Sequence, residues 1–340
     1  MIISAYGGHI DPTVTSIPGI ALMIFPLILA SDILLLLLNL ITWRRLAFMP
    51  AFTILACAPA IWNFCPLNIG HNTAPQDYNT IRVLTYNTYH FRDFNSTTDS
   101  DTGLNSTLST ILDIDADIVC IQEGSEIYHP VMEKYASQID SIYSRYPYRL
   151  ANNTLIWSKY PLENIPMPAT GDPTASFQCA NVTIGSSTLT LYNIHLQSLG
   201  LSNADKRLYG TLTTSPTTVK LDEARYDLIS KLSAAMKKRS RQAHQLRDII
   251  DSNNSDNIIV AGDFNDIEDC YAQRVIQGNN LESTFTAVGV GPTVTYYADR
   301  FYFNIDHMLY GGKLIPLDYQ CVKVRISDHY PVIGTYAIPR

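Results

Sequence analysis

The sequence predicts an α/β protein, a four-layered α/β sandwich of two packed mixed β-sheets flanked by helices, preceded by two transmembrane helices. Three observations lead there. Short apolar or alternating runs, bounded by Gly, Asn and Pro, recur from Ile81 onward and are interrupted by helical patterns. These runs outnumber the helices too heavily for one simple doubly wound sheet, so two sheets must pack together beneath outer helices. Before them, Ile17–Trp43 and Leu46–Cys65 are apolar stretches, each long enough for a membrane crossing of about 20 residues.

Taken in order, residues 1–66 form an anchor with helices over about 17–43 and 46–65, joined by a tight turn. A cleaved signal peptide fits poorly, because Met1–Pro12 has no Lys or Arg and the apolar run is too long. Trp43 and Trp62 lie near segment ends, where interfacial aromatics belong, and Arg44-Arg45 occupy the connection. The positive-inside rule puts that connection in the cytoplasm and everything after Pro66 on the extracytoplasmic side of an integral membrane protein. Asp32, inside the first span, reads as a helix–helix hydrogen-bonding residue. Pro18, Pro26, Pro50 and Pro59 read as tolerated kinks.

Residues 67–79 are polar and aperiodic, a linker to a domain over 80–340. Strands are expected at Ile81–Asn87 and Asp117–Glu123, with a helix over Ser106–Ile114 between them and another near Tyr128–Tyr143. Pro147–Ala151 and Thr154–Ser158 meet at an Asn152-Asn153 turn, and Ser158–Pro161 reads as a structural turn. Cys179–Ile184 and Thr188–His195 flank a Gly185-Ser186-Ser187 hairpin. Leu199–Leu221 reads as a Thr/Ser-rich loop near the mouth of the site, and Asp222–Ile250 carries apolar residues at helical spacing. Strands at Ile258–Gly262, Thr293–Tyr297, Ile305–Tyr310, Tyr319–Ile326 and Tyr330–Ala337 complete the set.

The 340-residue chain carries a net charge of −7, and after residue 77 it has 22 basic against 28 acidic side chains. That balance gives no bulk electrostatic case for nucleic-acid binding. Six scattered cysteines without CxxC spacing argue against zinc and for reduced, buried thiols.

Ile258–Asp266, IIVAGDFND, is an apolar run that ends in Asp263 and Asn265, which alternation places on one side of the chain; Gly262 admits a close backbone or ligand. Other strand-like runs also end in polar groups, at Asn87, Glu123 and His195 and in NIDHML and RISDHYPV. Glu123 with one or more of Asp263, Asp306 and Asp328 can hold a hard divalent cation such as Mg²⁺. Asn87 and Asn265 can orient a carboxylate or bind a phosphoryl oxygen without adding charge. His195 and His329 can donate to a developing oxyanion or move protons near neutral pH. These are the parts of metal-assisted phosphoryl hydrolysis with water as nucleophile.

The ordered strings RVLTYN, DIVCIQE, SKYPL, NIHLQS, VAGDFND, IDHML and SDHYPV make residues 80–340 resemble the endonuclease/exonuclease/phosphatase superfamily of DNase-I-like metal-dependent phosphoesterases. The resemblance implies Glu123 as principal Mg²⁺ ligand, Mn²⁺ being an alternative, with Asn87 beside it and Asp328 as a second metal-side carboxylate. It implies that Asp263 orients or deprotonates the attacking water and that Asn265 holds the phosphate. His329 activates water or stabilises the pentavalent phosphorus, Asp306 fixes its tautomer, and His195 is the other phosphate-facing histidine. Asn304 and His307 depart from the pattern around the Ile-Asp motif, and His307 and His90 are expected in surface or packing roles. Lys231, Lys237, Lys238, Arg239, Arg241 and Arg247 cluster on the long helix as a site for anionic groups or as a solvated face. The favoured reading is a membrane-anchored phosphoesterase acting on a small or lipid-linked phosphoester. An anchored nuclease and a catalytically silent binding module are the alternatives.

Overall fold

A computed structural model describes residues 1–70, 72–95, 102–124, 134–168, 176–200, 221–253, 255–298 and 302–340. Twelve strands among these residues build two sheets: β1 (Tyr78–Asn87), β2 (Ile118–Gln122), β3 (Tyr148–Ala151), β4 (Leu155–Ser158), β5 (Leu162–Ile165), β6 (Ser176–Ile184), β7 (Ser187–His195), β8 (Asn257–Asp263), β9 (Leu281–Ser283), β10 (Asp306–Gly312), β11 (Ile315–Cys321) and β12 (Val332–Pro339). Each sheet has six strands, in the orders β11-β12-β1-β2-β4-β3 and β5-β6-β7-β8-β10-β9. Both are mixed, with one parallel pair in the centre, β1 with β2 and β7 with β8, and antiparallel neighbours elsewhere.

Three apolar layers hold the sandwich together. Ile81, Val83, Ile118 and Cys120 of the first sheet meet Leu189, Leu191, Ile259, Ala261 and Met308 of the second across the middle. Leu84, Tyr86, Val119 and Ile121, on the opposite parity, pack under the helices Thr102–Ile114 and Ala136–Arg145. Tyr192, Ile194, Ile258 and Val260 pack under Ala243, Leu246 and Ile250 of the long helix Leu221–Ser252. Both sheets are therefore covered on both faces, which is why their central strands read as nearly unbroken apolar runs.

The N-terminal residues join this architecture. Ala5, Leu22, Phe25, Cys57 and Ala60 belong to the same buried cluster as the long helix. Ser16 Oγ donates to Ser233 Oγ at 2.7 Å, Ser240 Oγ to Asp11 at 3.0 Å, and Trp62 Nε1 to the Thr286 carbonyl at 3.2 Å. Within the expected linker, the Asn68 side chain donates to the carbonyls of Thr286 and Gly289. No single helix among the described residues is long and apolar enough to cross a membrane. The two continuous helices expected over 17–43 and 46–65 are instead broken. Ile17–Met23 and Phe25–Ile41 meet at 64°, and Arg44–Ala56 and Ala58–Phe64 at 60°; only as bent pairs do they have the length and composition to cross. Pro26 and Pro59 open the second helix of each pair; lacking an N–H and crowding the carbonyl four residues back, each ends the preceding helix. Asp32 does bond helix to helix, accepting from Thr53 Oγ1 at 2.6 Å.

Elsewhere, Thr293–Tyr297 forms only isolated bridges, from Tyr296 to Phe303 and to His329. The strand expected at Tyr319–Ile326 lies earlier, at Ile315–Cys321, because the chain leaves the sheet edge after Val322, whose N–H is held by the Pro331 carbonyl. Helix Ala136–Arg145 lies within the stretch expected near Tyr128–Tyr143, of which 128–133 lie outside the described residues, as does nearly all of the Leu199–Leu221 loop.

Candidate active site

Strand parity builds the site. The positions facing the other sheet run Ile81, Val83, Thr85, Asn87 on β1; Ile118, Cys120, Gln122 on β2; Leu189, Leu191, Asn193, His195 on β7; and Ile259, Ala261, Asp263 on β8. Each series is apolar at its start and polar at its C-terminal end. In-register pairing aligns those ends, Asn87 with Gln122 and His195 with Asp263. Antiparallel β10 begins at the same edge, with Asp306 opposite Asp263, and β12 starts three residues after His329. Groups 240 positions apart in sequence thus share one sheet edge, the place where open α/β sheets bind ligands. Gly262 makes the close central approach possible: its φ is +152°, and a Cβ there would lie 1.9 Å from the Ile194 carbonyl oxygen. The close neighbour is backbone, not ligand.

Two residues step out of the alternation. Glu123 and Asn265 both have φ of +53°, a left-handed conformation uncommon for side-chain-bearing residues and frequent at functional sites. The turn brings Glu123 back over the sheet edge, where its Oε1 accepts from Asn87 Nδ2 at 3.2 Å. It brings the Asn265 N–H to Asp263 Oδ1 at 2.8 Å and its side-chain amide to the Leu196 carbonyl at 3.0 Å.

All eight residues singled out in the sequence gather here. Asn87 Nδ2 also donates to Asp263 Oδ2 at 2.9 Å, so one amide bridges the Glu123 and Asp263 carboxylates. His195 Nε2 lies 3.6 Å and His329 Nε2 3.7 Å from Asp263 Oδ2. His329 Nδ1 bonds Asp306 Oδ2 at 2.8 Å, and the Asp306 N–H is held by Thr295 Oγ1 at 3.0 Å. Asp328 accepts from Ser327 Oγ at 3.1 Å, and Ser327 Oγ also donates to the Asn87 carbonyl at 2.7 Å. Glu123, Asp263, Asn265, Asp328 and His329 line one cavity.

The electrostatics follow from burial. Asp263 and Asp306 are each 1% exposed. Desolvation pushes the Asp263 carboxyl above its usual range against the opposing pull of His329, and burial likewise raises Asp328. Burial alone would depress His329, but the Asp306 and Asp263 carboxylates outweigh it and hold the imidazole up to about 10. Glu123, Asp263, Asp306 and Asp328 outnumber the imidazoles of His90, His195 and His329, and among the described residues Asp306 Oδ1 has no hydrogen-bond partner. That donor set, all oxygen and imidazole nitrogen, fits a hard divalent cation, which would keep the acids ionised. Asp263, Asp306 and His329 offer ligand atoms within 4.8 Å of one another. Within it, however, the Asp306–His329 contact is an orienting hydrogen bond, whereas Glu123 opens on the cavity beside Asp328.

Several neighbours were not evident from sequence. His90, expected at the surface or in packing, lies 3.4 Å from Glu123 Oε2, carried there by left-handed Tyr89, His90 and Phe91 at φ of 50°, 56° and 57°. Beneath the site, Gln122 Nε2 donates to Asn193 Oδ1 at 2.7 Å across the two sheets, and Asn193 Nδ2 donates to the carbonyls of Ile121 and Leu155. The available signal was a polar residue at inward parity in an apolar strand. Arg239 is fully buried and pairs through Nε and Nη2 with Asp266, while Nη1 donates to the Gln197 carbonyl at 3.0 Å. Arg247 is held by Asp251 and the Ile276 carbonyl, and none of the six basic residues on the long helix lines the cavity. The two departures, Asn304 and His307, both bind buried Glu268, at 3.0 and 2.9 Å, behind the site.

A fold of two mixed sheets carrying a buried acidic and histidine metal-site candidate at one edge defines a metal-dependent phosphoesterase. The model of the Endonuclease/Exonuclease/phosphatase family matches residues 84–329, and the chain belongs to that family. A second family, Domain of unknown function (DUF8431), matches residues 1–64. No curated protein matches. Among solved structures the chain is similar to an endonuclease/exonuclease/phosphatase family protein from Bacteroides thetaiotaomicron, at 12% identity and TM-score 0.50, covering 77% of this chain and 99% of that one. It is similar to the endonuclease/exonuclease/phosphatase from Bacteroides vulgatus at 14% identity and TM-score 0.50, covering 77% and 100%. D. rerio TDP2 complexed with single strand DNA product follows at 15% identity and TM-score 0.49, covering 76% and 99%. At these identities the likeness is one of fold. The enzyme is a hydrolase acting on phosphoesters, and the family's chemistry uses a divalent metal.

Proposed function

We propose that the chain is a membrane-anchored, Mg²⁺-dependent phosphoesterase, Mn²⁺ serving as an alternative, that hydrolyses a phosphodiester or phosphomonoester by direct attack of water. The observation that carries this reading is the convergence of Glu123, Asp263, Asn265, Asp328 and His329 on one cavity from three separate segments. Glu123 and Asp328, with Asn87 beside them, would hold the metal, which would neutralise phosphoryl charge and polarise the phosphorus. Asp263, fixed by Asn87 and the Asn265 N–H, aligns water for attack and takes its proton. The Asn265 amide and His195 hold the non-bridging oxygens. His329, kept protonated and oriented by Asp306, donates to the oxygen on which negative charge develops.

The N-terminal anchor comprises residues 1–66. Its outgoing helix Phe25–Ile41, 17 residues long, extends about 25 Å at ~1.5 Å per residue, most of a hydrocarbon core of ~30 Å. Leu27, Leu34, Ile41, Phe48 and Leu55 are all more than 65% exposed on this hairpin, apolar surface that a bilayer would cover. Arg44-Arg45 at its turn face the cytoplasm, which puts the catalytic domain on the extracytoplasmic side.

Purified full-length protein should hydrolyse bis-p-nitrophenyl phosphate with Mg²⁺, lose turnover in EDTA, and lose it again in Glu123→Ala and Asp263→Ala. Unchanged turnover in EDTA rejects the mechanism. Release from membranes by an alkaline carbonate wash rejects the anchor.

A further inference from the structure

The cavity at the site, about 200 Å³, is lined by two chemically different groups of residues. The carboxylates, Asn265 and His329 make one. Met23, Leu199, Ile267, Tyr296, Phe303 and Ile305 make the other. The Tyr296 ring stands edge-on to His329, with centroids 5.0 Å apart, and bridges to Phe303, so the apolar wall begins directly against the catalytic imidazole. A phosphate and its metal would engage only the polar group. The apolar group gains nothing from a small hydrophilic phosphoester, whereas hydrocarbon placed there is removed from water on both sides.

Met23 is the one residue of this wall that comes from the N-terminal unit. It closes helix Ile17–Met23 at the 64° break, and its neighbour Leu22 is 1% exposed in the core shared with the long helix. Directly beyond it, Ile24 and Leu27 are 50% and 70% exposed and lead onto the apolar hairpin. Met23 is thus the residue through which the exposed apolar hairpin adjoins the cavity wall.

We propose that the apolar residues bind the hydrocarbon part of an amphiphilic phosphoester while the polar residues hold its phosphoryl group, with Met23 making the N-terminal unit a specificity-determining wall of the site. The inference rests on the phosphoesterase reading above and names its substrate class. The N-terminal helices then do more than tether: they complete the pocket, and the bend that prevents a straight span is what delivers Met23 to it.

The test uses the full chain in nanodiscs with Mg²⁺. Calorimetric binding of methyl, butyl and octyl phosphate should tighten by about fourfold per methylene buried, up to the length the cavity holds. Met23→Asp and the milder Met23→Ser should flatten that dependence. Met23→Leu should restore it, and Leu34→Ser, at an exposed hairpin position that does not line the cavity, should keep it. A chain-length dependence equal in wild type and both polar Met23 variants assigns the gain to the bilayer and overturns the proposal. Turnover of the matching alkyl p-nitrophenyl phosphates separates the two readings. Chain-dependent binding without turnover supports the apolar subsite and sinks the phosphoesterase assignment; turnover with chain-independent binding does the reverse.

Discussion

Arg239 offers the sharpest separation between holding the fold together and holding the site in place. Its side chain is fully buried and its Asp266 partner 8% exposed; two guanidinium nitrogens reach Asp266 Oδ2 at 3.0 and 2.9 Å, and the third binds the Gln197 carbonyl. The residue therefore ties the segment after β7 to the segment after β8, one position beyond Asn265. Arg239→Met strands a buried carboxylate whose other oxygen, among the described residues, accepts from the Ile267 N–H at 3.0 Å. Breaking one side of such a pair costs about 3–5 kcal/mol, and at roughly 2 °C per kcal/mol for a domain of this size the melting temperature should fall by roughly 6–10 °C. Removing both charges in Arg239→Met/Asp266→Leu should restore stability to within about 1 kcal/mol of wild type, because the desolvation penalty goes with them. Activity should not follow. With Asp266, the residue next to Asn265, no longer tied through Arg239 to the Gln197 carbonyl, kcat on bis-p-nitrophenyl phosphate should stay about 100-fold down in single and double variants alike. Urea unfolding at constant m-value supplies the first quantity and steady-state kinetics the second. A double variant that recovers both stability and kcat would refute the positioning role.

Two further outcomes follow from the same geometry. Asp306→Asn replaces the charged acceptor of the 2.8 Å bond to His329 with a neutral amide and should lower kcat by about 10²–10⁴; it also changes stability against pH in EDTA-treated protein. His329 is raised from 6.5 to about 10 in the fold, so its contribution is fully present below about 6.5 and is lost as pH rises through about 10. The wild-type melting temperature should decline across that window and the decline should shrink in Asp306→Asn; a rise in wild type contradicts the assignment. Asn193→Leu leaves the Ile121 and Leu155 carbonyls without their side-chain donor and the Gln122 amide with only Thr85 Oγ1, which should cost about 2–6 kcal/mol at 1–3 kcal/mol per orphaned carbonyl. Urea unfolding reads it directly, and a loss below about 1 kcal/mol would mean that the polar layer is replaceable by packing.

The sheets were legible because strand parity is a strong signal: β1, β7 and β8 each alternate cleanly between two buried faces, and their polar ends stand out against apolar bodies. Short edge strands were not. Leu162–Ile165 and Leu281–Ser283 pair on one side only, and three or four residues carry too little pattern to distinguish them from loop. The N-terminal unit was legible only in part, for a different reason. Hydropathy reports that Ile17–Cys65 is apolar, but apolar surface can be buried by protein as readily as by lipid; Leu22, Phe25, Cys57 and Ala60 are covered by the domain. Proline position, at the start of the second helix of each pair, was the local clue that each run divides.

Site membership was legible residue by residue, whereas the support beneath it was not. Asn87, Glu123, His195 and Asp263 end strands, so they announce themselves in one dimension. Gln122 and Asn193 matter because they meet across the sandwich at 2.7 Å, a contact that no spacing along the chain encodes. Their position explains how the fold tolerates so much negative charge at its edge. Moving down from the cavity, carboxylates give way to neutral amides and then to the apolar residues Val83, Cys120, Leu191 and Ala261. The amides satisfy the strand-end carbonyls and one another, and so keep the acids from bordering hydrocarbon directly, where desolvation would neutralise them. What the amides do not supply is positive charge. Glu123, Asp263, Asp306 and Asp328 crowd one edge, where His90, His195 and His329 face them, and a divalent cation at Glu123 and Asp328 would lower the repulsion among the acids.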